Sequence, residues 1–373
     1  MQRIPERPCL NLLYFPVGNS MKFSPKFSMR FSVLLFAVAA VSLNVEARAD
    51  APIVIKFSHV VASDTPKGKA AERFKELAER ATKGRVKVEI YPNSQLYKDK
   101  DELEALQLGA VQMLAPSLAK FSPLGIREFE VFDLPYIFPT KEVLYRITEG
   151  PVGKELLDRL QSKGITGLAF WDNGFKVMSA NRPLRVPADF KNQKMRIQPS
   201  KVLEAQMRAL GAIPQVLGFS EVYQALQSGV VDGTENPPSN FYTQKMYELQ
   251  PHLTVSNHGY LGYVVIVNKK FWEGLPGGIR IELEGAMREA TLYANAIAQT
   301  ENDRAMDAIR KTGKTAVHHL SDKEKEAWRA ALAPVHREME ARIGRDLIAV
   351  VNREAARDVA KEVARRPPAL TGR

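Results

Sequence analysis

Ala105-Leu106-Gln107-Leu108-Gly109-Ala110-Val111 and Ala225-Leu226-Gln227-Ser228-Gly229-Val230-Val231 are two copies of one pattern, 120 residues apart. Each reads as the last turn of a helix, a glycine stop and the entry to a buried strand. Glycine accepts the left-handed conformation after a helix C-cap, and the apolar residues that follow suit a strand covered on both faces. Two lobes of similar design are implied. Around the first copy, strands are expected over 52–58, 86–91 and 111–115, with helices over 66–81 and 99–108. Strand and helix alternating at this interval predict an α/β fold with a mainly parallel sheet. Around the second copy, strands over 165–172 and 175–179 are expected to join through Asn173-Gly174, and strands over 194–198 and 211–216 to flank a helix over 200–210. Pro237-Pro238 points to an ordered, non-helical loop, and 260–268 to an apolar strand returning towards the first lobe. Residues 279–311 contain no proline. A continuous helix there would be about 50 Å long, enough to lie across both lobes, the alternative being a hairpin broken near Gly285 or Asn302.

The N-terminus carries an export signature. Lys22, Lys26 and Arg30 precede a thirteen-residue apolar run over 31–43, and Ala47-Arg48-Ala49 closes it with small residues. That is the form of a secretory signal peptide, and the run is too short to cross about 30 Å of hydrocarbon. The expectation is a periplasmic protein cleaved near Ala49, with residues 1–20 an upstream extension if translation starts at Met21 or Met29. The only cysteine, Cys9, lies in this segment, so the mature portion has neither disulfide nor thiolate metal site. The remaining roughly 320 residues exceed a single core, which stops growing near about 250–300 residues. Removing 1–49 takes away six Lys/Arg and two Asp/Glu, and the net charge falls from +11 to +7. A basic balance fits nucleic acid, an acidic membrane surface or an anionic ligand. With no zinc-finger spacing, no aromatic RNA-binding signature and no Lys/Arg block, nucleic acid is set aside, and most of the charge reads as mixed helix surface.

No G-x-S-x-G elbow, H-E-x-x-H pair or phosphate-cradling glycine loop is present, and His252, His258 and His318-His319 read as surface or capping histidines. No enzyme activity, cofactor or metal is expected. Three cations interrupt apolar or turn-rich segments. Arg196 lies in Met195-Arg196-Ile197-Gln198, where its guanidinium either grips a carboxylate with two parallel hydrogen bonds or faces solvent from an edge strand. Lys176 lies between Phe175 and Val177, and Lys120 in a polar loop with Ser117 at the carboxyl end of a strand, where open α/β sheets place ligands. Asn236, before Pro237-Pro238, holds the corresponding place in the second lobe. A secreted two-lobed hydrolase using Asp172, Glu235 or His59 as acid or base is the alternative from another class.

The stretches KFSHVVASDTPKG (56–68), LAPSLAKFSPLG (114–125), FEVFDLPYIF (129–138), WDNGFKVMSANRPL (171–184), KMRIQPSKVLEAQMRALGA (194–212) and FSEVYQALQSGVVDGTENPPSNFY (219–242) occur in this order. The chain thereby resembles the periplasmic solute receptors of tripartite ATP-independent periplasmic (TRAP) transporters, and is most similar to their four-carbon dicarboxylate-binding branch. The resemblance implies a two-lobed periplasmic binding protein with hinge strands and a long helix spanning both lobes. It implies a monomeric receptor that takes succinate, fumarate or malate by lobe closure and delivers it to the transporter's membrane subunits. A receptor for another carboxylate (keto acid, aromatic acid or sugar acid) uses the same clamp. By resemblance Arg196 clamps a ligand carboxylate, Asn236 and Lys176 contribute further contacts, and Lys120, Ser117, His59 and Val60 belong to the first lobe's ligand-facing loops. Many relatives carry Arg where this chain has Lys176, which keeps the charge without the fork. Phe170, Trp171 and Phe219 are candidate pocket walls. Residues 50–173 are expected as lobe I, with roughly 263–300 returning to it, 174–262 as lobe II, with roughly 301–345 packing on it, and 346–373 as a C-terminal tail.

Overall fold

The computed structural model describes residues 51–365; the export segment and the last eight residues lie outside them. Along the chain the strands are β1 (Ile53–Ser58), β2 (Val86–Tyr91), β3 (Met113–Leu114), β4 (Ile165–Phe175), β5 (Val177–Ala180), β6 (Lys194–Ile197), β7 (Ile213–Val216), β8 (Gly233–Asn236), β9 (His252–Val255), β10 (Tyr260–Asn268) and β11 (Ala316–His319). They form two sheets, ordered β2-β1-β3-β10-β4 and β11-β9-β5-β8-β6-β7. β1 pairs in parallel with β2 and β3, and β6 with β7 and β8, whereas β10 runs antiparallel between β3 and β4. Each parallel half is a βαβ lobe.

Local sequence explains the elements that position the cleft. Thr65 caps the helix Pro66–Ala81 by accepting from the Gly68 N–H at 3.1 Å, and Pro66 stands in the first turn, where its missing N–H costs nothing. The repeated pattern ends two helices as expected: Gly109 and Gly229 adopt φ of +79° and +72°, and the strands begin two residues after each Val, at Met113 and Gly233. Pro237-Pro238 departs from expectation. Pro238 opens a helix, Pro238–Thr243, because proline at the first helical position supplies the right φ and forfeits no bond. Asn173-Gly174 departs too. Both residues lie inside β4, with Gly174 paired to Leu261 at a φ of +129°, and the break between the strands falls at Lys176.

The chain leaves the first sheet through β4 to β5 and returns through β9 to β10, and the Lys176 N–H donates to the Gly259 carbonyl at 2.9 Å where these passages meet. The third link is the helix Gly277–Thr312, unbroken over 36 residues and about 54 Å long. Its Ile279, Leu283, Met287 and Ala290 pack into the core of the first sheet, its Met306 and Ile309 into that of the second. Between them Asn302 donates to the Asn173 carbonyl at 2.6 Å and accepts from the Ser239 N–H at 2.9 Å, tying the helix to both β4 and the helix Pro238–Thr243. The segment expected as a tail holds the helix Arg345–Arg365, whose Ile348 and Val351 are buried.

Candidate functional site

The lobes face each other across a cavity of about 330 Å³, lined by Asp99, Leu103 and Lys120 of the first lobe and Arg196, Gln198 and Gly218 of the second. It lies beyond the carboxyl ends of β3, β6 and β7, where the loops of an open α/β sheet converge. Polar bonds cross it. The Gln198 amide donates to the Ser117 hydroxyl at 2.6 Å, the Phe219 N–H donates to the Asp99 carboxylate, and the Lys201 N–H donates to Glu130 at 2.7 Å. Val60 and Val61 complete the contact by packing with Phe219 and Val222 of the second lobe.

Arg196 faces this cavity, with its side chain buried above the Phe219 ring, the guanidinium carbon 5.9 Å from the ring centroid. Its Nε and Nη2 donate to the Leu217 carbonyl at 3.0 and 2.9 Å. That anchor uses one edge of the fork and leaves the Nη1/Nη2 edge, which has the geometry for a carboxylate. Burial lowers the Arg196 pKa, against the pull of Asp99, Glu235 and Glu221. Across the cavity, Lys120 is paired with Asp99 and, at 2.5 Å, with Glu102. Burial opposes the charge of Lys120, but the two acids outweigh it and raise its pKa. Asp99 feels burial in the opposite sense, yet Lys120, the Phe219 N–H and Arg196 hold it at about 2. Glu102 is pushed up, since burial and Asp99 outweigh the two neighbouring lysines.

His59 is buried at the end of β1, neither ring nitrogen has a hydrogen-bond partner among the described residues, and burial with the nearby Lys67 charge depresses its pKa to about 3. It is a neutral imidazole at physiological pH.

Two expected site residues stand elsewhere. Lys176 is buried and bonded to Glu235 at 2.7 Å, and Glu235 also accepts from His258 at 2.9 Å and from Gln206 at 3.3 Å. Lys176 and His258 together hold the Glu235 carboxyl at about 2 despite its burial. This knot sits under the hinge and is not part of the cavity lining. His258 is therefore a core histidine and not a surface one. Desolvation keeps it neutral, and its partners assign the proton to Nε2, facing Glu235, with the Ser256 hydroxyl at 2.7 Å from Nδ1. Asn236 lies on β8 two residues from Thr234, which pairs with Arg196 across the sheet, but its amide is turned to the Thr234 hydroxyl at 3.2 Å and the Met246 sulfur. Asp172 is bound to Lys141 at 2.8 Å and Tyr145 at 2.9 Å on the outer side of the hinge, so the proposed acid–base groups are not assembled. Trp171 is core, its ring tilted against that of Phe57, and Phe170 sits among Phe129 and Phe132.

One buried cation within electrostatic reach of Lys120 escaped the sequence reading. Lys67, in the first turn of the helix Pro66–Ala81, is 1 % exposed, donates to the Ala115 carbonyl at 2.9 Å and stands 3.8 Å from the Tyr263 ring centroid. From Tyr263 a polar file continues to Asn240 at 3.3 Å and on to Asn173 at 3.2 Å. The available signal was a lysine one position after an N-terminal proline, on the helix end that points at the cleft.

The model of the bacterial extracellular solute-binding proteins, family 7, matches residues 57–342. The C4-dicarboxylate-binding periplasmic protein DctP of Rhodobacter capsulatus is 66% identical over 317 residues, covering 85% of this chain and 95% of its own. A TRAP periplasmic solute-binding protein of Shewanella oneidensis, solved with bound succinate, superposes with a TM-score of 0.80 at 42% identity, over 82% of this chain and 100% of that one. A Pseudomonas aeruginosa TRAP receptor with bound L-malate gives 0.75 at 47% identity, over 77% and 100% of the two chains.

Proposed function

We propose, from the premise that this chain belongs to family 7 of the bacterial extracellular solute-binding proteins, that it captures a small dicarboxylate such as succinate, fumarate or malate in the periplasm and presents it to the membrane subunits of a TRAP transporter. The observation that carries this reading is the convergence on one interlobe cavity of buried cations from both lobes: Arg196 from β6 and Lys120 from the facing lobe. Arg196 supplies a planar fork to one carboxylate, and Lys120 supplies a point charge towards the other. A ligand gripped from both sides binds the closed arrangement better than the open one, and this difference is what drives closure. Eight heavy atoms at about −1.5 kcal/mol each set a ceiling of roughly −12 kcal/mol, which admits affinities from micromolar to nanomolar. In this reading the ligand is handed on unchanged, and the residues that line the cavity all come from one chain.

Thermal denaturation tests the reading directly. Succinate, fumarate and malate at about 100 times their Kd should each stabilise the protein by about 2.7 kcal/mol and raise its melting temperature by several degrees, while lactate and neutral sugars give much smaller shifts. Equal shifts with lactate and succinate would leave a general acid receptor and sink the dicarboxylate assignment.

A further inference from the structure

Succinate, fumarate and malate carry the same two charges, so the cations of the cavity do not tell them apart. Only an uncharged donor or acceptor registers the hydroxyl by which malate differs. Two uncharged amide side chains line the cavity, Gln107 and Gln198. Gln107 is exposed, and its amide donates to the Lys163 carbonyl at 2.9 Å. Gln198 leaves the end of β6 on the same side as Arg196. The alternation of an extended chain puts Met195 and Ile197 in the apolar core, and Arg196 and Gln198 at the cavity. The carboxylate grip and the neutral amide are therefore neighbours on one lobe.

Gln198 is held in place from the other lobe. One N–H of its amide donates to the Ser117 hydroxyl at 2.6 Å. Ser117 is itself fixed: it is buried, its backbone bridges to Tyr263 of β10, and its carbonyl accepts from the Lys120 N–H at 3.0 Å. The second N–H and the carbonyl oxygen of the Gln198 amide make no hydrogen bond among the described residues. Turned either way about its last torsion, the amide gives one group to Ser117 and keeps the other for the cavity. We propose that Gln198 is the residue by which this site distinguishes a 2-hydroxy dicarboxylate from other four-carbon diacids. With one carboxylate on Arg196, the ligand's hydroxyl bonds to the free side of the amide, whose orientation the Ser117 bond fixes. Succinate leaves room there for a water, which stands in for the hydroxyl at little cost. An apolar group on the same carbon displaces that water and leaves the amide desolvated and unpaired, which is how a polar site rejects an analogue.

This inference rests on the receptor reading. Calorimetric titration of the wild-type protein with succinate, both enantiomers of malate and both enantiomers of 2-methylsuccinate tests it. The better malate enantiomer is expected to bind at least as tightly as succinate, and at least about tenfold more tightly than the better 2-methylsuccinate. Gln198→Leu, which removes the amide and keeps an apolar side chain of similar size, should weaken malate about tenfold more than it weakens succinate. In that variant 2-methylsuccinate should draw level with malate or bind ahead of it. A wild-type protein that takes 2-methylsuccinate as tightly as malate overturns this inference and leaves the receptor reading intact. A Gln198→Leu protein in which malate and succinate weaken by the same factor also overturns it, because the amide would then act on closure alone. No saturable heat from the wild type with succinate, fumarate or malate overturns the receptor reading itself, and this inference with it. The wild-type comparison stands even if the Gln198 variant does not fold.

Discussion

Arg196→Ala is expected to weaken succinate binding by at least a hundredfold, and Arg196→Lys by ten- to hundredfold. The guanidinium is buried beside the cavity with one edge fixed on the Leu217 carbonyl, so the remaining edge reaches a carboxylate without further loss of side-chain freedom. Charge-assisted bonds are worth about 1.5–3 kcal/mol each, and lysine can replace the charge but not two parallel bonds. Alanine also strands the Leu217 carbonyl and removes one of the charges that hold Asp99 ionised, so each variant needs its urea midpoint measured beside its calorimetric Kd. A folded Arg196→Lys protein that binds as tightly as wild type would mean that the free edge does not meet the ligand.

Lys176→Met is expected to act on stability. Its ammonium and the Glu235 carboxylate are both buried, 2.7 Å apart, and methionine would leave Glu235 with only a neutral histidine and an amide. Breaking a buried pair from one side costs about 3–5 kcal/mol, whereas removing both charges is often close to neutral. Urea denaturation should therefore show a large loss for Lys176→Met and a partial recovery when Glu235→Leu is added, with succinate affinity of the folded single variant changed only a few-fold. An unchanged urea midpoint accompanied by a hundredfold loss of affinity would place Lys176 at the ligand instead.

Much of the framework was legible because its signals are local. Thr65-Pro66 marks a helix start, Gly109 and Gly229 mark two helix ends, and the proline-free run after Pro276 marks the long helix that joins the lobes. Pro237-Pro238 misled because proline breaks a helix interior but favours a helix's first position, and the sequence alone did not say which applied. Gly174 misled in the same way: Asn-Gly suggests a turn, but the neighbouring β10 holds it in a strand. In the site, Arg196 and Lys120 were found because each interrupts an apolar or polar-loop stretch next to a strand end. The partner of Lys176 was out of reach, since Glu235 is 59 residues away and only the antiparallel pairing of β5 with β8 brings them together. Lys67 looked like any solvated helix lysine, and its contacts with Tyr263 of β10 and the Ala115 carbonyl just after β3 come from distant parts of the chain.

Calorimetric titration of succinate into the protein spanning residues 50–373 tests the central claim most directly. The account predicts saturable binding of one succinate per chain with a Kd between nanomolar and micromolar, and lactate binding at least a hundredfold weaker. No saturable heat with succinate, fumarate or malate, or lactate binding as tightly as succinate, would contradict it.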